Sequence, residues 1–166
     1  MSDAYVECMV ARKPSAILNF LKVLLIIITV IFALIGFGTT LRLMLFPAIL
    51  TGVGAYFLSI YSDVEFEYLY LDKEITVDKV YNKQKRKRVA VYPMDKIEIM
   101  APLNSWHLDS YKNRTFKEVD YSSQIVKQPE ARYVFYYNGE QKVIFEPNAE
   151  FMKMARNAGP RKVFVD

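Results

Sequence analysis

One cysteine and one histidine in 166 residues remove two kinds of chemistry at once. Cys8 has no partner for an intrachain disulfide, which fits a cytosol-facing chain. Cys8 and His107 together supply too few ligands for structural zinc, which takes about four. Charge is the next scarcity. Between Val23 and Tyr61 the only charged residue is Arg42. No Asp, Glu, His or Lys lies there to relay protons or hold an ion, which argues against a transporter. GxGxxG, P-loop, HExxH and GxSxG motifs are all missing. His107, Asp109 and Ser110 are residue types of a catalytic triad. Three near neighbours in one polar loop, with no oxyanion site, do not make one. The expectation is a protein that is not an enzyme and has no cofactor and no metal.

What fills the low-charge stretch is apolar. Val23–Leu41 reads VLLIIITVIFALIGFGTTL and Leu43–Tyr61 reads LMLFPAILTGVGAYFLSIY. Each is about as long as a membrane-spanning helix. As one helix the whole stretch would extend nearly 60 Å at about 1.5 Å per residue, twice the hydrocarbon core. A transmembrane helical hairpin over 23–61 fits better, turning near Gly36–Thr40 with Arg42 at the headgroups. A cleaved signal peptide fits poorly: the run is too long, no small-residue cleavage site follows, and a second span comes next. Pro47 falls in the first turn of the second span, where its missing N–H costs little. Ala48, Thr51, Gly52, Ala55 and Ser59 put small residues at helical spacing. They suit packing within the hairpin, or a dimer interface.

Flanking charge sets the orientation. Arg12, Lys13 and Lys22 precede the first span, and the Lys83–Arg88 cluster follows the second. The positive-inside rule predicts a multi-pass cell-membrane protein with both termini cytoplasmic. Phe20, Tyr56 and Tyr61 suit the interfacial belt. Residues 1–22 then form a cytoplasmic N-terminal segment, and Cys8 reads as an acylation site or as a buried or interfacial thiol.

From residue 62 onward the pattern changes to period two. Val64–Leu71 alternates and is rich in aromatics, so it is a strand, and Glu74–Tyr81 follows after a tight Asp72-Lys73 turn. Lys87–Tyr92, Lys96–Ala101, Phe116–Tyr121, Arg132–Tyr137 and Glu140–Phe145 complete seven strands, the last two joined by Asn138-Gly139. Glu65 and Glu67 read as the solvated face of the first strand, and the tyrosines of 68–70 and 133–137 as cross-strand core pairs. A helix follows, N-capped by Asn148, with Phe151, Met154, Ala155 and Ala158 on one face, stopped by Gly159-Pro160. Arg161–Val165 adds a short extended segment. Seven antiparallel strands and a C-terminal helix give a curled sheet or open barrel.

This order of elements resembles the PH-like fold. The stretches EFEYLYLDKEITVDKV, KIEIMAPLNS and PRKVFVD resemble an uncharacterised family of small bacterial membrane proteins with two N-terminal spans and a PH-like C-terminal domain. The resemblance covers nearly the whole chain. It implies an architecture and no activity.

An up-and-down meander leaving the second span would bring the turns at 81–86, 102–114 and 138–139 to the bilayer. It would send those at 72–73, 93–95 and 122–130 away from it. The first set carries Lys83, Lys85, Arg86, Lys87 and Arg88, then Lys112 and Arg114, with Trp106 and Tyr111 as interfacial aromatics. Two readings stand for this basic set: contact with anionic lipid headgroups, at about 1 kcal/mol per Lys/Arg, or a solvated hairpin tip that serves as a topology signal. Arg12, Lys13, Lys22 and Arg42 are the only Lys/Arg before position 62, leaving 18 of the 22 for the β domain, against 16 of the 18 Asp/Glu. That balance, together with a bilayer anchor, excludes a nucleic-acid partner. The expected function is a non-enzymatic membrane protein presenting a cytosolic module to a protein, peptide or anionic lipid. The alternative is an accessory subunit of a membrane complex, with the hairpin as its main interface.

Overall fold

The computed structural model describes residues 5–165. In chain order the elements are β1 (Val6–Ala11), α1 (Ala16–Gly38), α2 (Leu45–Ser62), β2 (Val64–Leu71), β3 (Glu74–Tyr81), β4 (Lys85–Pro93), β5 (Ile97–Pro102), β6 (Lys117–Asp120), β7 (Tyr133–Tyr137), β8 (Gln141–Phe145) and α3 (Ala149–Ala158). Short 3-10 turns at Arg42–Met44, Met94–Lys96 and Trp106–Tyr111 join some of them. The chain forms two compact units. One holds the chain up to Lys13, Glu65–Val80 and the chain from Arg86 on; the other holds Pro14–Val64 and Tyr81–Lys85.

The helical unit is built on two apolar helices of 23 and 18 residues, about 34 and 27 Å long at 1.5 Å per residue. Both are long and apolar enough to cross a membrane. In α1 only Gly36 is buried. Ile17, Phe20, Ile27, Ile31, Leu34 and Phe37 all face outward, whereas a helix on a soluble core buries one apolar stripe. The two helices pack through small residues. Ala48 and Ala55 of α2 are buried, and Thr51 and Thr29 share a hydroxyl hydrogen bond of 2.9 Å. A Cβ on Gly36 would meet Leu45 Cδ2 at 2.6 Å, so a larger residue there would have to displace the Leu45 side chain where α1 meets the start of α2.

Among the described residues the β unit has eight strands, in two four-stranded sheets ordered β1-β2-β3-β4 and β5-β7-β8-β6. The count of seven is one short because β1 lies in the N-terminal segment 1–22. Val6 pairs with Tyr70 and Ala11 with Glu65, antiparallel along the whole of β1. Val6 and Cys8 point into the core. Their period-two spacing was the available signal, masked by the strand's brevity and the adjacent Arg12-Lys13-Pro14. The β domain is therefore discontinuous in sequence. A fragment beginning at 62 lacks β1 and leaves the Phe66–Tyr70 edge of β2 unpaired, a ready template for aggregation.

The second sheet also departs from a meander. β6 runs parallel to β8, with Lys117 opposite Gln141 and Asp120 opposite Ile144. A parallel neighbour needs a crossover: residues 121–132 pass from β6 beyond β8 to β7, and the β7–β8 hairpin brings the chain back beside β6. Ser122 N–H and Oγ both donate to Asp120 Oδ1. Buried Glu146 accepts from Ser123 N–H and from the Lys127 ammonium. Burial pushes its carboxyl up, but the Lys127 and Ser123 bonds hold it below the ordinary carboxylate range. Asn138 and Gly139 both have positive φ, 53° and 68°, as a two-residue type I′ hairpin requires. The C-terminal extended segment lies along β5, bridged at Met100 and Val163.

Aromatic rings fill the space between the sheets and α3. Tyr68, Phe135, Phe145 and Phe151 are almost wholly buried. Phe145 meets Tyr68, Phe135 and Phe151 edge-on at centroid distances of 5.6, 5.3 and 5.9 Å, a geometry that adds to their burial energy. The Tyr68 hydroxyl donates to Tyr121 O at 2.6 Å and accepts from Glu146 N–H at 3.4 Å. It ties β2 to the residues that follow β6 and β8. α3 starts at Asn148, whose side chain accepts from Phe151 N–H at 2.8 Å, satisfying a donor the helix cannot.

Tyr68→Phe deletes a buried hydroxyl with two partners, so it should cost about 1–3 kcal/mol, seen as a lower denaturant midpoint at unchanged slope. Cys8 is buried, and burial pushes its thiol pKa up. Alkylation by iodoacetamide should be negligible in the folded chain and complete in denaturant, read by mass spectrometry.

Candidate functional site

The basic cluster lies on the β3–β4 hairpin. Asn82 and Lys83 form its turn with φ of 47° and 56°, and Gln84 N–H donates to Tyr81 O at 3.1 Å. The turn is fastened to the end of α2. Asn82 N–H donates to Asp63 O at 2.8 Å, and the Tyr61 and Tyr81 rings meet edge-on at 5.6 Å. β4 is the outer strand of its sheet, and Lys85–Val89 are all exposed.

The five cations of the hairpin are not equivalent. Arg86 Nη2 lies 2.7 Å from Glu67 Oε1 and Arg88 Nε lies 3.6 Å from Asp78 Oδ1. Both arginines turn back over the sheet. Lys83, Lys85 and Lys87 make no ion pair among the described residues. The free charge of the hairpin is thus carried by three lysines.

Glu65 and Glu67 are a correction. Alternation on β2 predicts a solvated face, yet Glu65 is 9 % exposed and Glu67 fully buried. Arg86 reaches Glu67 across the intervening β3 and roofs it. Among the described residues Glu67 Oε2 and Asp78 Oδ1 have no hydrogen-bond donor. Burial, then the neighbouring Glu7 carboxyl, pushes the Glu67 carboxyl up to about 7, against the downward pull of Arg86. Glu7 moves the opposite way: the Glu67 carboxyl, then the Tyr5 hydroxyl, holds it below the ordinary range. Tyr5 Oη donates to Glu7 Oε2 at 2.6 Å. Two neighbouring carboxyls resist ionising together, so one gives up its proton early and the other late.

The remaining predicted contacts lie elsewhere. Lys112 pairs with Asp109 at 2.6 Å. Arg114 lies 5.2 Å over the Tyr111 ring, and Tyr111 stacks on Tyr136 at 4.5 Å beside Phe116. Tyr111 is thus a packing residue of the second sheet. Trp106 is 71 % exposed and leans on His107, whose ring stacks on Phe164 at 3.7 Å. That stack and the Lys112–Asp109 pair divide the triad-like residues between separate partners. The predicted division of turns also fails. Asn138 N–H donates to Lys96 O, and Met94 N–H to Lys73 O. Asn138-Gly139 therefore lies with the 72–73 and 93–95 turns, because the chain changes sheets through Met94–Lys96. Lys112 and Arg114 belong to the second sheet and are not part of the β3–β4 cluster.

Among the described residues no group of three or more His, Cys, Asp or Glu could hold a metal ion. Two open grooves flank α3. One of about 710 Å³ lies among Asp72–Glu74, Pro93–Lys96 and Ala158–Lys162. The other, of about 520 Å³, is lined by Tyr133, Met152, Lys153 and Arg156.

Two apolar helices and a two-sheet β domain closed by a C-terminal helix fit one known family. The model of the bacterial PH-like domain (DUF6106) matches residues 2–165. The chain belongs to the DUF6106 family of bacterial PH-like domains. Comparison with curated proteins and with solved structures gives no match. The family match spans the helices as well as the sheets, so both units of this PH-like protein are family features.

The shifted Glu67 has a measurable consequence. Its carboxyl binds a proton more tightly in the folded chain, at about 7, than at its ordinary 4.5. Its contribution to stability is therefore fully present below about pH 4.5 and is lost as pH rises through about 7. Glu67→Gln, which keeps an acceptor for Arg86 and adds a donor toward Glu7, should flatten that slope. Thermal unfolding between about pH 5 and 8 checks it: at the upper end the variant should be the more stable by about 1–3 kcal/mol.

Proposed function

We propose that this PH-like protein is a non-enzymatic, membrane-anchored module. Its two apolar helices insert as a hairpin, and its β3–β4 turn docks on anionic lipid headgroups through Lys83, Lys85 and Lys87. The observation that carries the reading is the attachment of the basic turn to the exit of α2, through Asn82 and Asp63 and through Tyr61 and Tyr81. A turn held at the end of a spanning helix lies within about a Debye length of the leaflet, where each lysine gains about 1 kcal/mol. The strand pairing supports the orientation. β1 and β2 are neighbours in one sheet and flank the helices on either side. An even number of crossings between them keeps that sheet on one side of the bilayer, and the positive-inside rule makes that side the cytoplasm.

A second reading has an observation of its own. A groove of about 390 Å³ between the helices is lined by Lys22, Ile26, Thr29, Val30, Gly52, Ala55, Tyr56 and Ser59. Small residues along its floor suit a transmembrane helix of a partner protein, which would make the chain an accessory subunit.

Reversal of Lys83, Lys85 and Lys87 to Glu in the full chain separates the two. In nanodiscs containing phosphatidylserine, amides of the β3–β4 turn should be protected from exchange relative to neutral nanodiscs. The triple variant should lose that protection, by at least about 3 kcal/mol. Equal protection on neutral and anionic lipid would reject docking, and a partner helix crosslinked to Gly52 or Ser59 would favour the subunit reading.

A further inference from the structure

The groove between the two apolar helices has ends of unlike chemistry. It lies within the helical unit and encloses about 390 Å³. Thr29 meets Thr51, and Cβ atoms on Gly52 and Gly54 would meet Thr29 and Leu25. That antiparallel register brings Lys22 level with Ser59 and Val30 level with Gly52. The groove runs between these two levels, from position 22 to position 30 of α1, a length of about 12 Å. At one end stand the Lys22 ammonium and the Tyr56 and Ser59 hydroxyls. None of the three has a hydrogen bond or an ion pair among the described residues, although Lys22 is half-buried. Further along, Ile26, Val30, Gly52 and Ala55 are apolar, and the Thr29 hydroxyl already donates to Leu25 O at 2.8 Å.

Charge decides between occupants. Lys22 is the last charged residue before the uncharged run Val23–Leu41, so it stands where headgroups give way to hydrocarbon. Asp63 is the only acid among residues 14–64, and it does not line the groove. A partner helix would cover the Lys22 ammonium with no counter-charge from this chain, which is costly in hydrocarbon. It would also find a groove about 12 Å long against a hydrocarbon core of about 30 Å.

We propose that this groove binds one anionic phospholipid: its phosphate accepts from the Lys22 ammonium and the Tyr56 and Ser59 hydroxyls, and an acyl chain lies along Ile26, Val30 and Gly52. The inference rests on the insertion of the helical hairpin proposed above, and not on docking by the β3–β4 turn. A phosphate offers only acceptors and the three side chains offer donors, so each completes what the other lacks. The single positive charge of Lys22 selects a headgroup of net negative charge. In a zwitterionic lipid the headgroup's own cation competes with Lys22 for the phosphate. Basic pockets between spanning helices take anionic headgroups for the same reason. The apolar end excludes a free phosphate compound as the ligand the whole groove fits, because only a lipid brings a hydrocarbon chain to Ile26 and Val30.

The test is native mass spectrometry of the full chain in detergent, titrated with phosphatidylglycerol or with phosphatidylcholine of the same acyl chains. One phosphatidylglycerol should be retained per chain, at least about fivefold more tightly than phosphatidylcholine. Lys22→Gln should bring the two lipids to equal affinity. Val30 is 50 % exposed, so Val30→Trp can fill the groove from its open side without repacking the helices, and it should lower retention of both lipids. Reversal of Lys83, Lys85 and Lys87 to Glu should leave the preference of this first lipid unchanged. Phosphatidylglycerol with a photoreactive group on its acyl chain should crosslink to Ile26, Val30 or Gly52. Four results overturn the site and leave insertion of the helices intact: equal retention of both lipids by the unaltered chain, a preference that survives Lys22→Gln, one that disappears with the three hairpin lysines, or crosslinks confined to other residues. Extraction of the reconstituted chain from vesicles by alkaline carbonate overturns insertion, and the site with it.

Discussion

The pairing of β1 with β2 is the constraint on which the rest of this PH-like protein depends. It joins two segments separated in sequence by both apolar helices, over the full register from Val6–Tyr70 to Ala11–Glu65. A short link of Arg12–Ser15 leads from β1 into α1, and Asp63 alone separates α2 from β2. The helices must therefore leave from and return to one sheet. Without β1, Val6 and Cys8 leave the core, β2 becomes an open edge, and Glu67 loses Glu7.

The two faces of β2 serve different ends. Phe66, Tyr68 and Tyr70 build the interior, where the Tyr68 hydroxyl joins β2 to Tyr121 and Glu146 of the second sheet. The opposite face carries Glu65 and Glu67, which in an ordinary antiparallel sheet would meet water. Here Arg86 closes over Glu67, and the result is a charged layer with fewer donors than acceptors. That shortfall leaves one oxygen of Glu67 and one of Asp78 without a donor among the described residues. A fold by itself does not assign a function.

Much of the architecture was legible in the sequence. Uninterrupted apolar runs marked the helices because length and composition alone suffice for such segments. Period-two alternation located seven strands, Asn138-Gly139 located a hairpin, and Asn148 and Gly159 bounded α3. The topology of the second sheet was not legible. Its β6–β8 pairing is parallel and follows a crossover held by Asp120, Ser122, Ser123 and Glu146, contacts that strand periodicity does not encode. β1 was missed because a six-residue strand beside basic residues has little local signature; its stability comes from β2, more than 50 residues on.

The candidate site divides along the same line. Sequence by itself determined which residues bear charge on the β3–β4 hairpin, because the run from Lys83 to Arg88 is local and its turn is short. Tertiary structure decided which of those charges are free. Arg86 and Arg88 are committed to carboxylates on other strands, and Lys112, Arg114 and Tyr111 belong to another sheet. It also decided that Glu67 is buried, since solvation depends on what crosses above a residue and not on its place in an alternating pattern. The apolar helices could be read from sequence because their character is a property of each segment alone. The ionisation of Glu67 could not, because it depends on Glu7, Asp78 and Arg86, brought together from three other strands.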